Sequence, residues 1–264
     1  MRRWVPLAAL LPLLLWEALG GDLWLARQLA DGHGFYAQHA FWAERLLHDG
    51  ARQLMGGLLG LAAISLLWQP AWAPPRRERA WALVFSVAAM ASISLLKARS
   101  LTSCPWALAE FGGQAQAVSH WAWGLVDGGP GHCFPSGHAA GAFGLLCLVL
   151  PWLQAQPRAA RWAFAALLLF ASAASWAQVA RGAHFLSHCL WSAWLCGLWA
   201  GAYLAASARR KHKGPRVRPR SLAPAVSASP PQGAVARPGG SDLGPRQAAA
   251  EPAAWVAAGR PVRR

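Results

Sequence analysis

The hydrophobic pattern of the chain predicts a membrane protein made of helices. Six apolar runs, each long enough or nearly long enough to cross about 30 Å of hydrocarbon, occur within the first 206 residues. These runs span residues 4–19, 53–68, 81–96, 135–152, 162–178 and 189–206. Because several runs are short, their ends must extend through interfacial Trp, Tyr and Arg side chains. We therefore predict an all-α integral membrane bundle of about six transmembrane helices.

Basic residues lie at alternate ends of the successive runs, which predicts the orientation of the bundle. They are Arg2, Arg3, Arg76, Arg77, Arg79, Arg158, Arg161 and the basic residues of the tail from Arg209 onward. The positive-inside rule places them, and both termini, in the cytoplasm, so the more acidic opposite loops face the periplasm or the exterior. We predict a protein of the bacterial inner (plasma) membrane. The first two arginines also fit a cleaved signal peptide, but no small-x-small cleavage site follows at a normal distance, so we treat the first run as a helix.

Composition agrees with a bilayer solvent and separates the first 206 residues from the tail. The chain of 264 residues is 55% hydrophobic and 13% charged, with 17 tryptophans. Its net charge of +15 divides into +5 for residues 1–206, the predicted transmembrane domain, and +10 for residues 207–264. The tail is rich in Pro, Ala, Gly, Ser and Arg, so we predict that it is disordered. It serves as a positive-inside anchor or binds anionic lipid headgroups, and we expect no nucleic-acid partner.

The five cysteines show no metal-ligand spacing. Cys147, Cys189 and Cys196 lie in apolar runs, where cysteine behaves as a small hydrophobe. Cys104 and Cys133 lie in the loop between the third and fourth runs. An oxidising compartment allows a disulfide between these two, and two free thiols are an equally open alternative.

Polar residues suited to chemistry collect at one end of the predicted bundle. The third run ends at Lys97, the fourth begins with the sequence PSGH, and the fifth ends in QVARGAHFLSH, residues 178–188. The last stretch contains Gln178, Arg181, His184 and His188, which we expect on a similar side of a continuous helix. Such a polar stripe is costly at a membrane boundary unless it faces a cavity, a ligand or polar partners. Alternatively, Arg181 snorkels and the histidines merely lie at the interface.

The PSGH sequence, residues 135–138, has the chemistry of a phosphate-binding segment. Gly137 lets backbone N–H groups approach an anion, Ser136 adds a hydroxyl, and the helix that follows favours negative charge at its N-terminus. Lys97 would add positive charge of the kind that stabilises a transferring phosphoryl group. His138 could protonate a leaving oxygen while a second histidine attacks phosphorus.

These motifs resemble those of the type-2 phosphatidic acid phosphatase superfamily. That family has the motifs K-x6-R-P, P-S-G-H and S-R-x5-H-x3-D, and the present chain has Lys97 followed after six residues by Cys-Pro, then PSGH, then a Gly-x-His that ends at His184. PSGH matches in full. The order of the motifs and their predicted membrane side agree with the family over about residues 81–200.

The first and third motifs depart from the family pattern. Cys104 occupies the arginine position of the first motif. With His184 as the histidine of the third motif, Gln178 occupies the arginine position and His188 the aspartate position. Arg181 lies about one helical turn from Gln178 and could replace the missing guanidinium.

The replacement at position 188 leaves two further questions open. A neutral His188 could orient His184 through a hydrogen bond, but it stabilises a developing imidazolium less well than a carboxylate does. Asp127 and Glu110 of the loop are alternative sources of that charge. A second register makes His188 the nucleophile and keeps Arg181 as the motif arginine, but it loses the Gly-x-His match, so we prefer His184.

The resemblance implies a mechanism in which His184 forms a phosphohistidine and His138 protonates the leaving alcohol. The predicted site comprises the catalytic residues His184, His138 and His188 and the phosphate-binding residues Lys97, Ser136, Gly137, Arg181 and Gln178. Members of the family need no metal, and we expect no metal or other cofactor here. We predict a membrane phosphatase that hydrolyses a lipid-linked phosphomonoester or diphosphate. The alternatives are a lipid phosphotransferase and a non-catalytic lipid-phosphate-binding protein of the same fold.

Several polar residues fall outside the predicted site. The loop histidines are expected to be mostly solvated: His33, His39, His48, His120 and His132. Glu17 is an acid within an apolar run, which makes it a functional candidate, but pairing with loop residues is also open and we leave it out of the site. Residues 31–54 predict an interfacial helix beside the mouth of the site, either a cap that binds a headgroup or an inert connector.

Overall fold

The computed structural model describes residues 5–212 and is almost entirely helical in that range. Its α-helices are α1 (Val5–Ala18), α2 (Gly21–Leu29), α3 (Ala51–Ile64), α4 (Arg76–Ala98), α5 (Gly137–Gly144), α6 (Leu146–Val149), α7 (Trp152–Ala155), α8 (Pro157–Ala180) and α9 (Leu186–His212). Two short strands, β1 (Ala30–Asp31) and β2 (Gly34–Phe35), pair antiparallel after α2. A π-helix, Trp42–Gly50, runs directly into α3, and 3-10 helices lie at Ser65–Leu67, Pro105–Ala107 and Ala109–Phe111.

Five helical segments in this range are long and apolar enough to cross a membrane, and α1 with α2 forms a sixth if the bent pair counts as one span. The five are Trp42–Leu67, Arg76–Ala98, Gly137–Ala155, Pro157–Ala180 and Leu186–Arg210. The prediction of an all-α bundle with about six transmembrane helices is thereby confirmed.

The first predicted run, residues 4–19, corresponds to α1, and the chain bends by 65° just beyond it, between α1 and α2. Gly20 has a φ angle of 69°, in the left-handed region that favours glycine, and Gly21 lies so close to the Trp16 ring that a Cβ atom would clash. The bend positions the Asp22 carboxylate to accept hydrogen bonds from Trp16 Nε1 at 2.9 Å and from the backbone N–H of Ser187 at 3.0 Å. The bent span is thus tied to the start of α9.

The second span begins earlier than predicted. The segment expected to form a separate interfacial helix is the π-helix, which continues into α3 as part of one membrane-spanning segment. Ala51 and Met55 of α3 are buried against Ala142 and Leu145. This packing brings the start of α3 close to the start of α5.

The polar stripe predicted as one continuous helix over residues 178–188 is broken. Helix α8 ends at Ala180, and Gly182 follows with a φ angle of 73° and its Cα packed against the Phe35 ring. A side chain at Gly182 would clash with that ring, so the turn requires glycine. The loop after α4 holds the turn in place, because the backbone N–H of Trp106 donates to the Gly182 carbonyl at 3.0 Å.

Helix α9 continues past the tail boundary predicted at residue 206 and reaches His212. The Glu78 carboxylate at the start of α4 accepts hydrogen bonds from Tyr203, Ser207 and Arg210 of α9 at distances of 2.8 to 3.1 Å. The part of α9 beyond residue 206 is therefore held against the start of α4. The rest of the predicted tail lies outside the described residues.

Candidate active site

A cavity of about 510 Å³ opens where α4 and α8 end and where α5 begins. Arg52 and Met55 of α3 form another wall of this cavity. Six of the eight predicted site residues line this cavity, namely Lys97, Gly137, His138, Gln178, Arg181 and His184. Residues that are far apart in the chain are therefore brought together as the motifs predict.

Two buried side chains of the cavity carry polar atoms without a partner among the described residues. Arg181 is 7% exposed and its Nε atom makes no hydrogen bond, while Gln178 is 2% exposed and its Nε2 atom makes none. The guanidinium of Arg181 lies over the Trp106 ring at 5.6 Å and 3.8 Å from the Glu44 carboxylate, which is one-third exposed. Buried donors of this kind are costly unless a ligand satisfies them, and an anion satisfies both.

His138 lies in the first turn of α5, where two contacts hold its ring. Its Nε2 atom is 3.1 Å from the Leu47 carbonyl, and the ring stacks on His48 at 4.8 Å between centroids. Because a carbonyl can only accept, Nε2 carries the proton in this hydrogen bond. The π-helix therefore fixes the tautomer and the orientation of His138.

His184 follows the Gly182 turn and is 5% exposed. Burial lowers the pKa of His184 well below its usual value, and the nearby positive charge of Lys97 acts in the same direction. The ring is consequently neutral near pH 7, with a lone pair available for attack. Its Nδ1 atom is 3.4 Å from Cys133 Sγ, which leaves Nε2 as the candidate nucleophilic atom.

Cys104 and Cys133 form a disulfide, with their Cα atoms 5.1 Å apart, so the first of the two alternatives for this pair is the correct one. Cys104 lines the cavity. The two sulfurs and a ring nitrogen of His184 lie within 4.8 Å of one another, as metal ligands would. In a disulfide, however, neither sulfur is the thiolate that binds zinc.

The sequence-family model of the PAP2 superfamily matches residues 79–212 of the chain. The chain belongs to the PAP2 superfamily. Members of this superfamily are in general phosphatases, which supports a hydrolase activity. No curated protein and no solved structure matches the chain in the same comparisons.

Two residues of the predicted PAP2 site do not line the cavity. Ser136 is fully buried, and its hydroxyl accepts a hydrogen bond from the backbone N–H of Ala139 as the N-cap of α5. The ring of His188 faces a neighbouring cavity of about 210 Å³, while its carbonyl accepts from the Ser136 N–H at 3.2 Å. Both residues thus lie behind the residues that line the cavity and support them.

Sequence reasoning missed the contribution of α3 to this PAP2 site. His48 and Arg52 line the cavity one helical turn apart, together with Met55. The spacing of the two polar residues just before an apolar run was the available signal. Most of the five loop histidines are exposed as predicted, but His48 is an exception, because its ring lies against His138 and its Nδ1 atom is buried.

His120 is the second exception, a partly buried residue whose side chain is only 9% exposed. Its ring stacks on Phe134 at 4.0 Å, just before the PSGH sequence. The other three loop histidines, His33, His39 and His132, are exposed as predicted.

Proposed function

We propose that this protein is a membrane phosphatase that hydrolyses a lipid-linked phosphomonoester or diphosphate at the external face of the membrane. The observation that carries the proposal is the pair of buried, unpartnered donors on Arg181 and Gln178, beside Lys97 in a cavity that also contains two histidines. A phosphate group satisfies both donors and neutralises the buried guanidinium.

The proposed reaction has two steps. In the first, the lone pair of His184 Nε2 attacks phosphorus and the bond from phosphorus to the leaving oxygen breaks. His138 acts as a doubly protonated ring in this step and donates its Nδ1 proton to that oxygen, while its Nε2–H stays bonded to the Leu47 carbonyl. In the second, a water molecule attacks the phosphohistidine, His138 takes the proton from the water, and inorganic phosphate leaves with His184 restored. Lys97 and Arg181 stabilise the negative charge on the transferring group in both steps.

The guanidinium of Arg181 takes the role of the arginine that the third PAP2 motif has at position 178. Both residues line the cavity, so a guanidinium from either position reaches the same space. Arg52 of α3 is a second cation at the mouth of the cavity and compensates for the arginine that Cys104 replaces. The site therefore keeps three positive charges despite its departures from the motifs.

A lipid-linked substrate is supported by an apolar groove of about 880 Å³ between α3, α6 and α8. Leu58 and Leu145 line this groove, and each lies about one helical turn beyond a residue of the phosphate cavity, Met55 and Gly141 respectively. The hydrocarbon tail of the substrate would occupy the groove while its phosphate enters the cavity.

The test is phosphate release by the purified protein from a panel of lipid phosphates that includes phosphatidic acid, phosphatidylglycerol phosphate and a polyprenyl diphosphate. We expect release to disappear in His184→Ala and in His138→Ala, and to persist in His33→Ala, which changes an exposed histidine. Vanadate, which mimics pentacoordinate phosphorus, should inhibit the reaction. Undiminished turnover in both site variants would overturn the proposal.

A second candidate function is lipid-phosphate binding without turnover. The replacement of charged motif residues by Cys104, Gln178 and His188 favours it. In this case the panel gives no phosphate release, while binding of a lipid phosphate is retained in His184→Ala and weakened in Arg181→Gln. A phosphotransferase differs from both: when the phosphate of the substrate carries an isotopic label, that label appears in a second lipid.

A further inference from the structure

Glu17 of α1 is a carboxylate at the centre of a partly buried polar cluster. It accepts hydrogen bonds from Trp191 Nε1 at 2.7 Å and from Trp121 Nε1 at 3.1 Å, and it lies 3.2 Å from His120 Nε2. The side chains of Glu17 and His120 are only 12% and 9% exposed. Burial lowers the pKa of His120 below its usual value, which favours the neutral ring.

A chain of ring contacts leads from this pair to the candidate nucleophile. The His120 ring meets the His188 ring edge to face at 5.4 Å, and His188 meets His184 in the same way at 5.9 Å. His188 is 2% exposed and its Nδ1 atom has no hydrogen-bond partner among the described residues. Glu17, His120 and His188 also line one cavity of about 210 Å³ behind the phosphate site.

Two other carboxylates, Asp22 and Asp127, line the same cavity as His188, but Glu17 is the one of the three that lies within 4 Å of a histidine nitrogen among the described residues. Asp127 accepts hydrogen bonds from the N–H and the hydroxyl of Ser103, and Glu110 pairs with Arg27 at the surface. Glu110 does not line the cavity that contains His188, whereas Asp127 lines it and is held there by Ser103. Asp22 is likewise bound, to Ser187 of α9.

We propose that Glu17, acting through His120 and His188, replaces the aspartate that the third PAP2 motif places at position 188. The inference rests on the proposed role of His184 as nucleophile. When the bond between nitrogen and phosphorus forms, the His184 ring becomes positively charged, and a buried negative charge lowers the energy of that state. The His188 ring contacts the His184 ring, and His120 lies between His188 and the Glu17 carboxylate. All three are positioning residues, because none of them lines the phosphate cavity.

The experiment is a double-mutant cycle on the full-length protein, with kcat and KM measured for a lipid phosphate that the wild type hydrolyses. We expect Glu17→Gln to lower kcat about tenfold with little change in KM, because the carboxylate no longer fixes His120 and, through it, the His188 ring behind the nucleophile. The glutamine oxygen still accepts from one tryptophan, so the local packing is conserved. Glu110→Gln is the matched control, since it removes an exposed carboxylate and should leave kcat unchanged.

The second side of the cycle changes His188. His188→Asp places a carboxylate directly behind His184, and His188→Phe keeps a ring but removes its nitrogens. In either background Glu17→Gln should alter kcat by less than about twofold, because His188→Asp supplies its own carboxylate and His188→Phe removes the ring nitrogens that connect Glu17 and His120 to His184. Two variants are used so that the cycle can be completed even if one of them fails to fold, and thermal unfolding identifies that case.

The outcomes separate this inference from the proposed function. An equal loss of kcat from Glu17→Gln in the wild-type and His188 backgrounds would refute the coupling, and so would no loss in the wild type. If His184→Ala is inactive while Glu17→Gln is fully active, only the role of Glu17 fails. If His184→Ala retains turnover, the proposed mechanism itself fails.

Discussion

Replacement of Arg181 by glutamine gives the sharpest test of the phosphate site. The variant removes a cation that is 7% exposed and leaves Glu44 as its former partner, which is one-third exposed and can be hydrated. A charge-assisted hydrogen bond contributes about 1.5–3 kcal/mol, and loss of one donor to a developing oxyanion lowers kcat by about 10²–10³-fold. We therefore expect kcat/KM to fall about 100-fold and inhibition by vanadate to weaken in parallel.

The same substitution should not destabilise the ligand-free protein. The Nε atom of Arg181 has no partner among the described residues, so the buried guanidinium is incompletely satisfied. Its removal leaves no unpaired buried charge, and the unfolding temperature should stay constant or rise. Arg181→Lys should give an intermediate rate, because it keeps the charge but loses the planar pair of donors.

A compensating change makes the test specific. Gln178→Arg restores the arginine of the third motif in the same cavity. The double variant Gln178→Arg/Arg181→Gln should have a kcat/KM at least tenfold higher than that of Arg181→Gln alone. Arg99→Gln, at an exposed position outside the cavity, is the control. The assay is phosphate release at several substrate concentrations. A kcat/KM within twofold of the wild type in Arg181→Gln would contradict the assignment.

Three further predictions concern the disulfide, the groove and pH. Reduction of the bond between Cys104 and Cys133, which are 29 residues apart, should lower the free energy of unfolding by about 3 kcal/mol in denaturant titrations, and activity should fall as the support of His184 loosens. Ala163→Trp fills the apolar groove and should raise KM for a long-chain lipid phosphate but not for a short-chain one, whereas Ala165→Trp on the exposed face should change neither. Since burial lowers the pKa of His184 in the folded protein, the unfolded state binds the extra proton, so stability should decrease as pH falls below about 6.5. The decrease should be smaller in His184→Gln when unfolding temperatures at pH 8 and pH 5.5 are compared.

The sequence was sufficient to predict the spans and six of the residues that line the cavity, because both depend on patterns that do not require every helix to be regular. Apolar runs identify membrane-spanning helices whatever their exact ends. Lys97, His138 and His184 each lie where a predicted run begins or ends, so their meeting at one end of the bundle follows from the alternation of the chain across the membrane. The same alternation does not predict which way a side chain points, and Ser136 and His188 face away from the cavity.

The missed features depend on contacts between segments that are distant in the chain. The bend at Gly20 forms because Gly21 packs on Trp16 and Asp22 reaches α9, and no periodicity in residues 1–30 encodes that partner. His48 is typical of a solvated loop residue when considered alone. It becomes part of the site only because the π-helix is continuous with α3 and brings its ring against His138. From sequence alone, a polar residue beside an apolar run therefore fits a solvated position and a position in a site equally well.

The departures from the PAP2 motifs share one physical explanation in the proposed mechanism. Transfer of a phosphoryl group requires positive charge within reach of its oxygens and a neutral, oriented imidazole, but it does not require that each charge come from a particular position in the chain. The ends of α4 and α8 and the start of α3 meet at one cavity, so Arg181 and Arg52 can carry charge that the motifs assign to positions 178 and 104. A negative charge behind the nucleophile can likewise come from another helix, and Glu17 of α1 supplies it through His120 and His188 in the inference above. A bundle whose helix ends converge can therefore exchange charged residues between neighbouring helices, provided that the total charge around the phosphate is conserved.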